Sequence, residues 1–147
     1  MHEQEDRNMI AYVTVGADDI QLAEQFYSSF LLALGYKLER YHGDLSYIPP
    51  SHPDQTCVSP DFYVKRPFDG APASPGNGVM VAFQASNQRE VRKLHAAAVA
   101  SGGTDEGQPG FRDTYGADFF VGYLRDPHGN KIALFSSNPH DPKRDGT

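Results

Sequence analysis

The sequence lacks the features that mark several classes of protein. It has a single cysteine, Cys57, so it cannot form an internal disulfide or supply the repeated thiolates of a structural zinc or iron–sulfur site. No apolar run approaches the roughly 18 residues that cross a bilayer. The first eight residues are polar and acidic, whereas a secretory signal is basic and then apolar. We therefore expect a cytoplasmic protein without a membrane-spanning segment.

Positive charge is also scarce. The 13 lysines and arginines stand against 19 aspartates and glutamates, which gives a formal net charge of −6. This balance offers no broad attraction for phosphate backbones or anionic lipid surfaces, so we expect a small-molecule ligand and no nucleic acid or membrane partner. With 147 residues, of which 39% are hydrophobic, the chain has the length and apolar content of one folded domain.

The first half of the sequence predicts one strand, one helix and three further strands. Residues 10–15 alternate as a two-faced strand. Asp18 or Asp19 can cap a helix whose apolar residues recur at helical spacing, and Gly35 can end it in the left-handed conformation. Three short strands are expected to follow, at Tyr36–Tyr41, Leu45–Ile48 and Asp61–Lys65.

The same pattern restarts after an irregular segment at 67–78 that is rich in proline and glycine. Residues 79–85 alternate as a strand, Ser86 or Asn87 can cap a second helix, and Gly102 with Gly103 can stop it. The remaining elements are expected to be an extended segment at Phe111–Tyr115, a strand at Phe119–Leu124, a tight turn at Asp126–Asn130 and a strand at Lys131–Phe135.

The two halves match residue for residue over strand, cap, helix and stop. An offset of 68 residues places Val13 on Val81, Val15 on Phe83, Asp19 on Asn87, Phe26 on Leu94 and Gly35 on Gly103. Such a register indicates an internal duplication. We therefore predict an α+β domain at 10–136 made of two paired βαβββ modules, about 10–66 and 79–136, between polar tails at 1–9 and 137–147 that we expect to fray.

Each module is expected to cover one face of a curved mixed sheet with its helix and to leave the other face as a concave cleft. The alternative is an ordinary α+β domain whose own loops fill the concavity.

Motifs in both halves resemble the vicinal oxygen chelate superfamily, which includes glyoxalase I, the bleomycin-resistance proteins and the extradiol ring-cleaving dioxygenases. They are Tyr12-Val13-Thr14-Val15-Gly16, Asp19-Ile20, Phe26-Tyr27 and Leu34-Gly35-Tyr36, then Gly102-Gly103-Thr104-Asp105, Pro109-Gly110-Phe111-Arg112 and Asp126-Pro127-His128-Gly129-Asn130. The resemblance covers about 10–136. It implies the paired βαβββ fold, a homodimer, and a divalent metal held in the cleft by side chains from four strands.

The four ligand positions that this resemblance implies carry poor ligands. They fall on Tyr12, Tyr63, Met80 and Ala133. A phenol must lose its proton to bind a metal well, a thioether is soft, and a methyl group cannot coordinate. We therefore predict that the metal site has degraded and that the protein has no cofactor.

The histidines and the cysteine give little support for a metal site elsewhere in the chain. His42, His52, Asp54, Cys57 and Asp61 could form a metal site if their loop folded back, although a solvated proline-rich loop is the simpler interpretation. Backbone conformation accounts for the turn around His128 without chemistry. We expect three further histidines to be exposed: His2, His95 and His140.

Strand alternation instead predicts a ligand-binding wall of aromatic and polar side chains. Its members are Tyr12, Thr14, Tyr63, Met80, Gln84, Arg112, Tyr115 and Tyr123. Arg112 is expected to clamp a carboxylate or phosphate while Tyr115 donates a further hydrogen bond. The alternatives are that the rings only fill the interior, that Tyr123 packs between strands, and that Arg112 pairs with Asp113 or Asp118.

The function that follows is a glyoxalase-like or bleomycin-resistance-like protein that binds a small organic molecule in its cleft. The alternative is an enzyme of the same superfamily, of lyase, isomerase or dioxygenase type, that acts on a small oxygenated substrate.

Overall fold

The computed structural model describes residues 9–51 and 59–145, which form two modules with the same order of elements. The first contains β1 (Tyr12–Gly16), α1 (Ile20–Leu31), β2 (Lys37–Tyr41), β3 (Asp44–Ile48) and β4 (Asp61–Lys65). The second contains β5 (Met80–Gln84), α2 (Gln88–Ala100), β6 (Thr104–Phe111), β7 (Phe120–Arg125) and β8 (Lys131–Ser136). The predicted α+β fold of paired βαβββ modules is confirmed. Neither helix in these residues has the length and apolar character needed to cross a bilayer.

The strands form two four-stranded mixed sheets, one for each module. Their orders are β1-β4-β3-β2 and β5-β8-β7-β6. In each sheet the first strand pairs in parallel with the last strand of its module, and the other neighbours are antiparallel. Within the described residues no strand of one sheet pairs with a strand of the other, so β1 and β5 each have one free edge.

Both helices begin at the predicted caps. The Asp19 side chain accepts a hydrogen bond from the backbone N–H of Leu22 at 3.1 Å, and the Asn87 side chain accepts one from Glu90 at 2.8 Å. Gly35 ends α1 with a φ of 96°, as expected. The equivalent residue in the second module is Gly102, with a φ of 105°, so the alignment of Gly35 with Gly103 is wrong by one residue.

The helix sides of the two sheets share one core. The ring of Phe83 in β5 lies 5.1 Å from that of Phe62 in β4 and 5.7 Å from that of Phe30 in α1, and α1 packs on α2. Because side chains alternate along a strand, the residues next to Phe62 and Phe83 point away from this core. We call the side of each sheet opposite the helices its open face.

The turn at Asp126–Asn130 joins the second module to the first. The buried carboxylate of Asp126 accepts the hydroxyl of Tyr27 at 2.5 Å, the backbone N–H groups of His128 and Asn130, and the side-chain amide of Asn130. His128 Nε2 accepts the backbone N–H of Asp19 at 3.0 Å. The predicted turn is therefore present, and His128 also contacts the start of α1.

The sixth strand begins seven residues earlier than the expected extended segment and ends at Phe111, where that segment was expected to begin. The prediction at Phe111–Tyr115 is wrong because β6 occupies Thr104–Phe111, with register irregularities on both sides of Gly107. Gly107, Pro109 and Gly110 are typical of a loop, but β6 is an edge strand, where proline and bulges are tolerated.

Two further expectations differ from the structure: the exposure of His95 and the fraying of the C-terminal tail in its described part. His95 is only 2% exposed, because α2 turns it towards the second sheet. The C-terminal segment is bound to the start of α2. Asp141 accepts the backbone N–H of Gln88, and the carbonyl of Pro142 accepts the side-chain amide of Gln88. The N-terminal tail as far as residue 8, including His2, lies outside the described residues.

Candidate functional site

The eight predicted binding residues fall into two groups on two sheets. Tyr12, Thr14 and Tyr63 lie on the open face of the first sheet. The others belong to the second module: Met80, Gln84, Arg112, Tyr115 and Tyr123. Among the described residues, no hydrogen bond, ring contact or cation–π contact joins one group to the other. The two groups therefore make no direct contact of these kinds, although Gln84 lines a cavity of about 720 Å³ together with Asp61 of the first sheet.

The open face of the first sheet is phenolic and acidic. The rings of Tyr12 and Tyr63 lie 5.0 Å apart, and the Tyr63 hydroxyl donates to the Asp61 carboxylate at 3.3 Å. Loss of solvent raises the pKa of Tyr63, and the negative charge of Asp61 raises it further. The Tyr63 phenol therefore keeps its proton at physiological pH.

The open face of the second sheet is cationic and aromatic. The strand register places Met80, Lys131 and Arg125 side by side in one row. The next row contains Tyr123, whose ring centroid lies 5.0 Å from Lys131 Nζ and 5.3 Å from the guanidinium carbon of Arg112. One phenol ring therefore contacts two cations, and a cation is attracted to the electron-rich face of such a ring.

Glycine in β6 makes room for Arg112. Its Nη1 and Nη2 donate to the carbonyls of Phe111 and Gln108 at 3.0 and 2.9 Å. A Cβ on Gly107 would lie 2.9 Å from Tyr123 Cδ2 and 3.2 Å from Arg112 Nη2. Any larger residue at Gly107 would force the ring or the guanidinium away from its present place.

The positive charge at Tyr123 is not neutralised by neighbouring carboxylates. Arg125 forms an ion pair with Glu106 at 3.0 Å. Within the described part of the chain, no ion pair involves Arg112 or Lys131. The predicted alternative for Arg112, a pair with Asp113 or Asp118, is therefore wrong. An incoming anion would meet two available cations.

A cavity of about 770 Å³ opens at the end of this face. Its volume is in the range of small-molecule sites. Lys131 belongs both to this cavity and to the group around Tyr123, so the two are continuous. The lining residues are Pro75, Gly76, Asn77, Gly78, Val79, Met80, Arg125, Gly129 and Lys131.

Tyr115 lies at the other end of the same face, in an aromatic row. Its ring lies 4.8 Å from that of Phe119, which lies 4.7 Å from that of Phe135. Register places Gln84 beside Phe135. Tyr115 is close to Arg112 through the backbone, since its N–H donates to the Arg112 carbonyl at 3.0 Å.

The positions that would hold the superfamily metal are divided between the two sheets. Tyr12 and Tyr63 are on the first, and Met80 and Ala133 are on the second. In the portion that the structure describes, no group of three or more histidine, cysteine, aspartate or glutamate side chains is arranged to bind a metal. Of the loop residues considered as an alternative metal site, those at 52–58 lie outside the described residues.

The sequence reasoning missed Lys131 as a binding residue. Alternation along β8 already placed it on the open face, but only the register shows that it lies next to Met80 and Arg125 and reaches Tyr123. Phe119 and Phe135 were missed for the same reason, because ring contacts across strands are not visible in one-dimensional patterns.

Solved structures with the same fold come from several bacteria. A glyoxalase/bleomycin resistance protein from Albidiferax ferrireducens is 34% identical, with 88% of this chain and 98% of that chain covered and a TM-score of 0.73. A glyoxalase-related enzyme from Fulvimarina pelagi is 20% identical, with 95% of both chains covered and a TM-score of 0.65. A lactoylglutathione lyase from Agrobacterium tumefaciens is 18% identical, with 89% and 95% covered and a TM-score of 0.54.

The last two likenesses show the fold alone. No protein-family model matches the sequence, and no curated protein is significantly similar to it. Identity to the Albidiferax protein over nearly its whole length, together with the paired βαβββ modules, places this chain in the glyoxalase/bleomycin resistance protein family of the vicinal oxygen chelate superfamily.

Proposed function

We propose that the protein binds a small organic anion with a planar apolar part on the open face of its second sheet, without a divalent metal. The observation that carries this proposal is the position of Arg112 and Lys131 on the ring of Tyr123, with no carboxylate paired to either cation among the described residues.

The chemistry of these three side chains selects the ligand class. The guanidinium of Arg112 can grip a carboxylate or phosphate through two parallel hydrogen bonds, while Lys131 adds a point charge. Tyr123 offers a flat surface to an apolar ring. The cavity beside Lys131 gives such a ligand room to extend past Met80. An uncharged molecule of the same shape would use only the apolar part of this surface.

Donor chemistry supports metal-free binding. Tyr63 holds its proton towards Asp61, so its phenolate, the form that binds metals, is disfavoured. Met80 provides only a soft thioether, and Ala133 has no donor atom. None of the four expected positions therefore has a good ligand for a hard or borderline cation.

A second copy of the chain is the proposed partner. Among the described residues, β1 and β5 each pair with a strand on one side only, and large exposed apolar side chains lie on or beside both strands, including Ile10, Tyr12, Val79 and Met80. Such edges are normally covered. Pairing of β1 in one copy with β5 in another would place the phenolic face of one subunit beside the cationic face of its partner and close the cleft.

The anion proposal is tested with the matched probes 2-naphthoate and 2-naphthamide, measured by fluorescence titration of purified protein in EDTA. We expect tighter binding of the naphthoate, and we expect Arg112→Ala and Lys131→Ala each to weaken it by about tenfold or more. Lys65→Ala is the control, because Lys65 is an exposed lysine on the first sheet. Equal binding of the two probes, or equal effects of all three substitutions, would refute the proposal.

Elemental analysis of the same preparation tests the metal-free part. The expected result is no stoichiometric Zn, Ni, Mn or Fe, with probe affinity unchanged by EDTA. A tightly held equivalent of one of these metals would contradict it and would favour the alternative, a metal-dependent lyase, isomerase or dioxygenase.

Sedimentation tests the dimer. One chain has a mass of 16.2 kDa, and the wild-type protein should sediment with twice that mass. Val79→Lys, beside the β5 edge, should sediment as a monomer. A monomeric wild-type protein at micromolar concentration would contradict the partner proposal, without affecting the test of anion preference.

A further inference from the structure

The side of the second sheet that faces the helices carries a hydrogen-bonded pair directly behind the candidate site. His95 of α2 is buried, and its Nε2 lies 3.0 Å from the carbonyl oxygen of Tyr123 and 3.3 Å from Asp105 Oδ1. A ring nitrogen that faces two acceptor oxygens must carry its proton. His95 therefore donates towards both residues.

Asp105 extends this link into the bulged part of β6. Its Oδ1 accepts the backbone N–H of Gly107 at 2.9 Å, and its Oδ2 accepts the side-chain amide of Gln108 at 2.8 Å. The hydrogen bond from Gly107 holds the pKa of Asp105 below its usual value, and the amide of Gln108 lowers it further. The carboxylate thus stays charged and fixes two residues of the bulge.

The bulge in turn holds Arg112. The carbonyl of Gln108 accepts Arg112 Nη2 at 2.9 Å, and Gly107 is the residue whose missing side chain leaves space for the guanidinium. An unbroken series of contacts therefore runs from His95 through Asp105 and Gln108 to Arg112, and a separate contact runs from His95 to the backbone of Tyr123. Gly122 permits the second contact, since a Cβ there would lie 2.9 Å from His95 Cδ2.

We infer that His95 and Asp105 are positioning residues, which set the guanidinium of Arg112 on the ring of Tyr123 from the opposite side of the sheet. Neither residue lies on the open face beside Tyr123, so neither touches the ligand. The inference rests on the proposed function only for its effect on affinity, because the placement of Arg112 can be observed in the free protein.

The test uses Asp105→Ala and His95→Leu, with Asp141→Ala as the matched control. Asp141 also accepts a backbone N–H, that of Gln88 at the start of α2, but no hydrogen bond joins it to β6 in the described residues. We expect Asp105→Ala to weaken 2-naphthoate binding by about three- to tenfold, the loss of one or two hydrogen bonds, and to leave 2-naphthamide binding unchanged. Asp141→Ala should change neither affinity.

A ligand-free measurement separates this inference from the proposed function. In ¹⁵N–¹H spectra, the guanidinium resonances of Arg112 and the amide of Tyr123 should shift in Asp105→Ala and His95→Leu, and should not shift in Asp141→Ala. Unchanged Arg112 resonances in the two variants would overturn the positioning role, even if wild-type protein prefers naphthoate. Shifted resonances in a protein with no preference for naphthoate would support the positioning role and refute the anion site. Because His95→Leu risks misfolding, His95→Gln, which retains a donor, should recover the wild-type resonances at least in part.

Discussion

The two modules of this chain share their core side and differ on their open side. Val13 and Val81 occupy corresponding positions against the core, and Asp19 and Asn87 cap the two helices in the same way. On the open faces, the first residue of the first strand lies beside the first residue of the last strand in both modules. This pair is Tyr12 with Asp61 in the first module and Met80 with Lys131 in the second.

This difference separates positions constrained by core packing from positions that are free to change in charge. Residues on the helix side must fill one shared, close-packed core, where a change in volume is costly. Open-face side chains such as Tyr12 and Met80 are 59% and 43% exposed, so residues at these positions can change with less loss of packing. One face became phenolic and acidic while the other became cationic, and the difference in charge is what we attribute to ligand binding.

The largest expected effect is a difference in stability between substitutions on the two sides of β5. Phe83 packs against Phe30 and Phe62 in the shared core, whereas Met80, in the same strand, is 43% exposed. We expect Phe83→Ala to lower the free energy of unfolding by about 3 to 5 kcal/mol. Met80→Ala should lower it by less than about 1 kcal/mol. Urea denaturation measures both, and comparable losses would show that the open face also carries core packing.

The second test concerns the contact between modules. Asp126→Ala removes a buried acceptor from the hydroxyl of Tyr27 and from donors of His128 and Asn130. We expect a loss of about 3 kcal/mol, because several buried donors are left without partners. Asp113→Ala, at an exposed aspartate, serves as the control. A loss of under 1 kcal/mol in Asp126→Ala would mean that packing alone joins the modules.

A third test reverses the charges of the corresponding positions. Lys131→Asp gives the second sheet the acidic residue of the first, and we expect it to weaken 2-naphthoate binding by about 10- to 100-fold, since an attraction becomes a repulsion. Asp61→Lys should change the affinity less than Lys131→Asp in fluorescence titrations. If Asp61→Lys has the larger effect, the ligand lies on the first sheet.

The smallest expected effect is a decrease of stability at alkaline pH that arises in the first module. Burial raises the pKa of Tyr47 from 10.0 to about 12, and burial followed by the charge of Asp126 raises that of Tyr27 well above 10.0. Between these values the unfolded chain loses protons that the folded protein keeps. The contribution of these tyrosines to the unfolding free energy should therefore be fully present below pH ~10 and should be lost as the pH rises towards ~12.

Denaturation at pH 9, 10 and 11 checks this prediction. Tyr47→Phe should show a smaller fall than wild type, because it removes one of the tyrosines whose pKa is raised, alongside Tyr27, Tyr36 and Tyr63. An identical decline in both proteins would contradict the assignment of the effect to Tyr47.

The sequence predicted most of the fold because the signals are local and repeated. Alternation defined β1 and β5, side-chain oxygens defined the caps at Asp19 and Asn87, and the second copy of each signal supported the first. The prediction failed at β6, where Gly107 and Pro109 have the composition of a loop. Their strand conformation depends on β7, a partner that is distant in sequence.

The candidate site could be predicted only in part for the same reason. Alternation assigned Tyr12 and Met80 to open faces, but it could not tell that these faces belong to two sheets that do not pair with each other in the described residues. It could not show that Lys131 and Arg112 meet on Tyr123 either, because that depends on the strand register and on the space left by Gly107.

The most direct measurement of the central claim is a titration of metal-free, ¹⁵N-labelled protein with 2-naphthoate, followed by ¹⁵N–¹H spectroscopy. We predict that the largest shifts occur at Arg112, Tyr123 and Lys131 and that they are much smaller with 2-naphthamide. The largest shifts at Tyr12, Thr14 and Tyr63, or binding that appears only after a divalent metal is added, would contradict it.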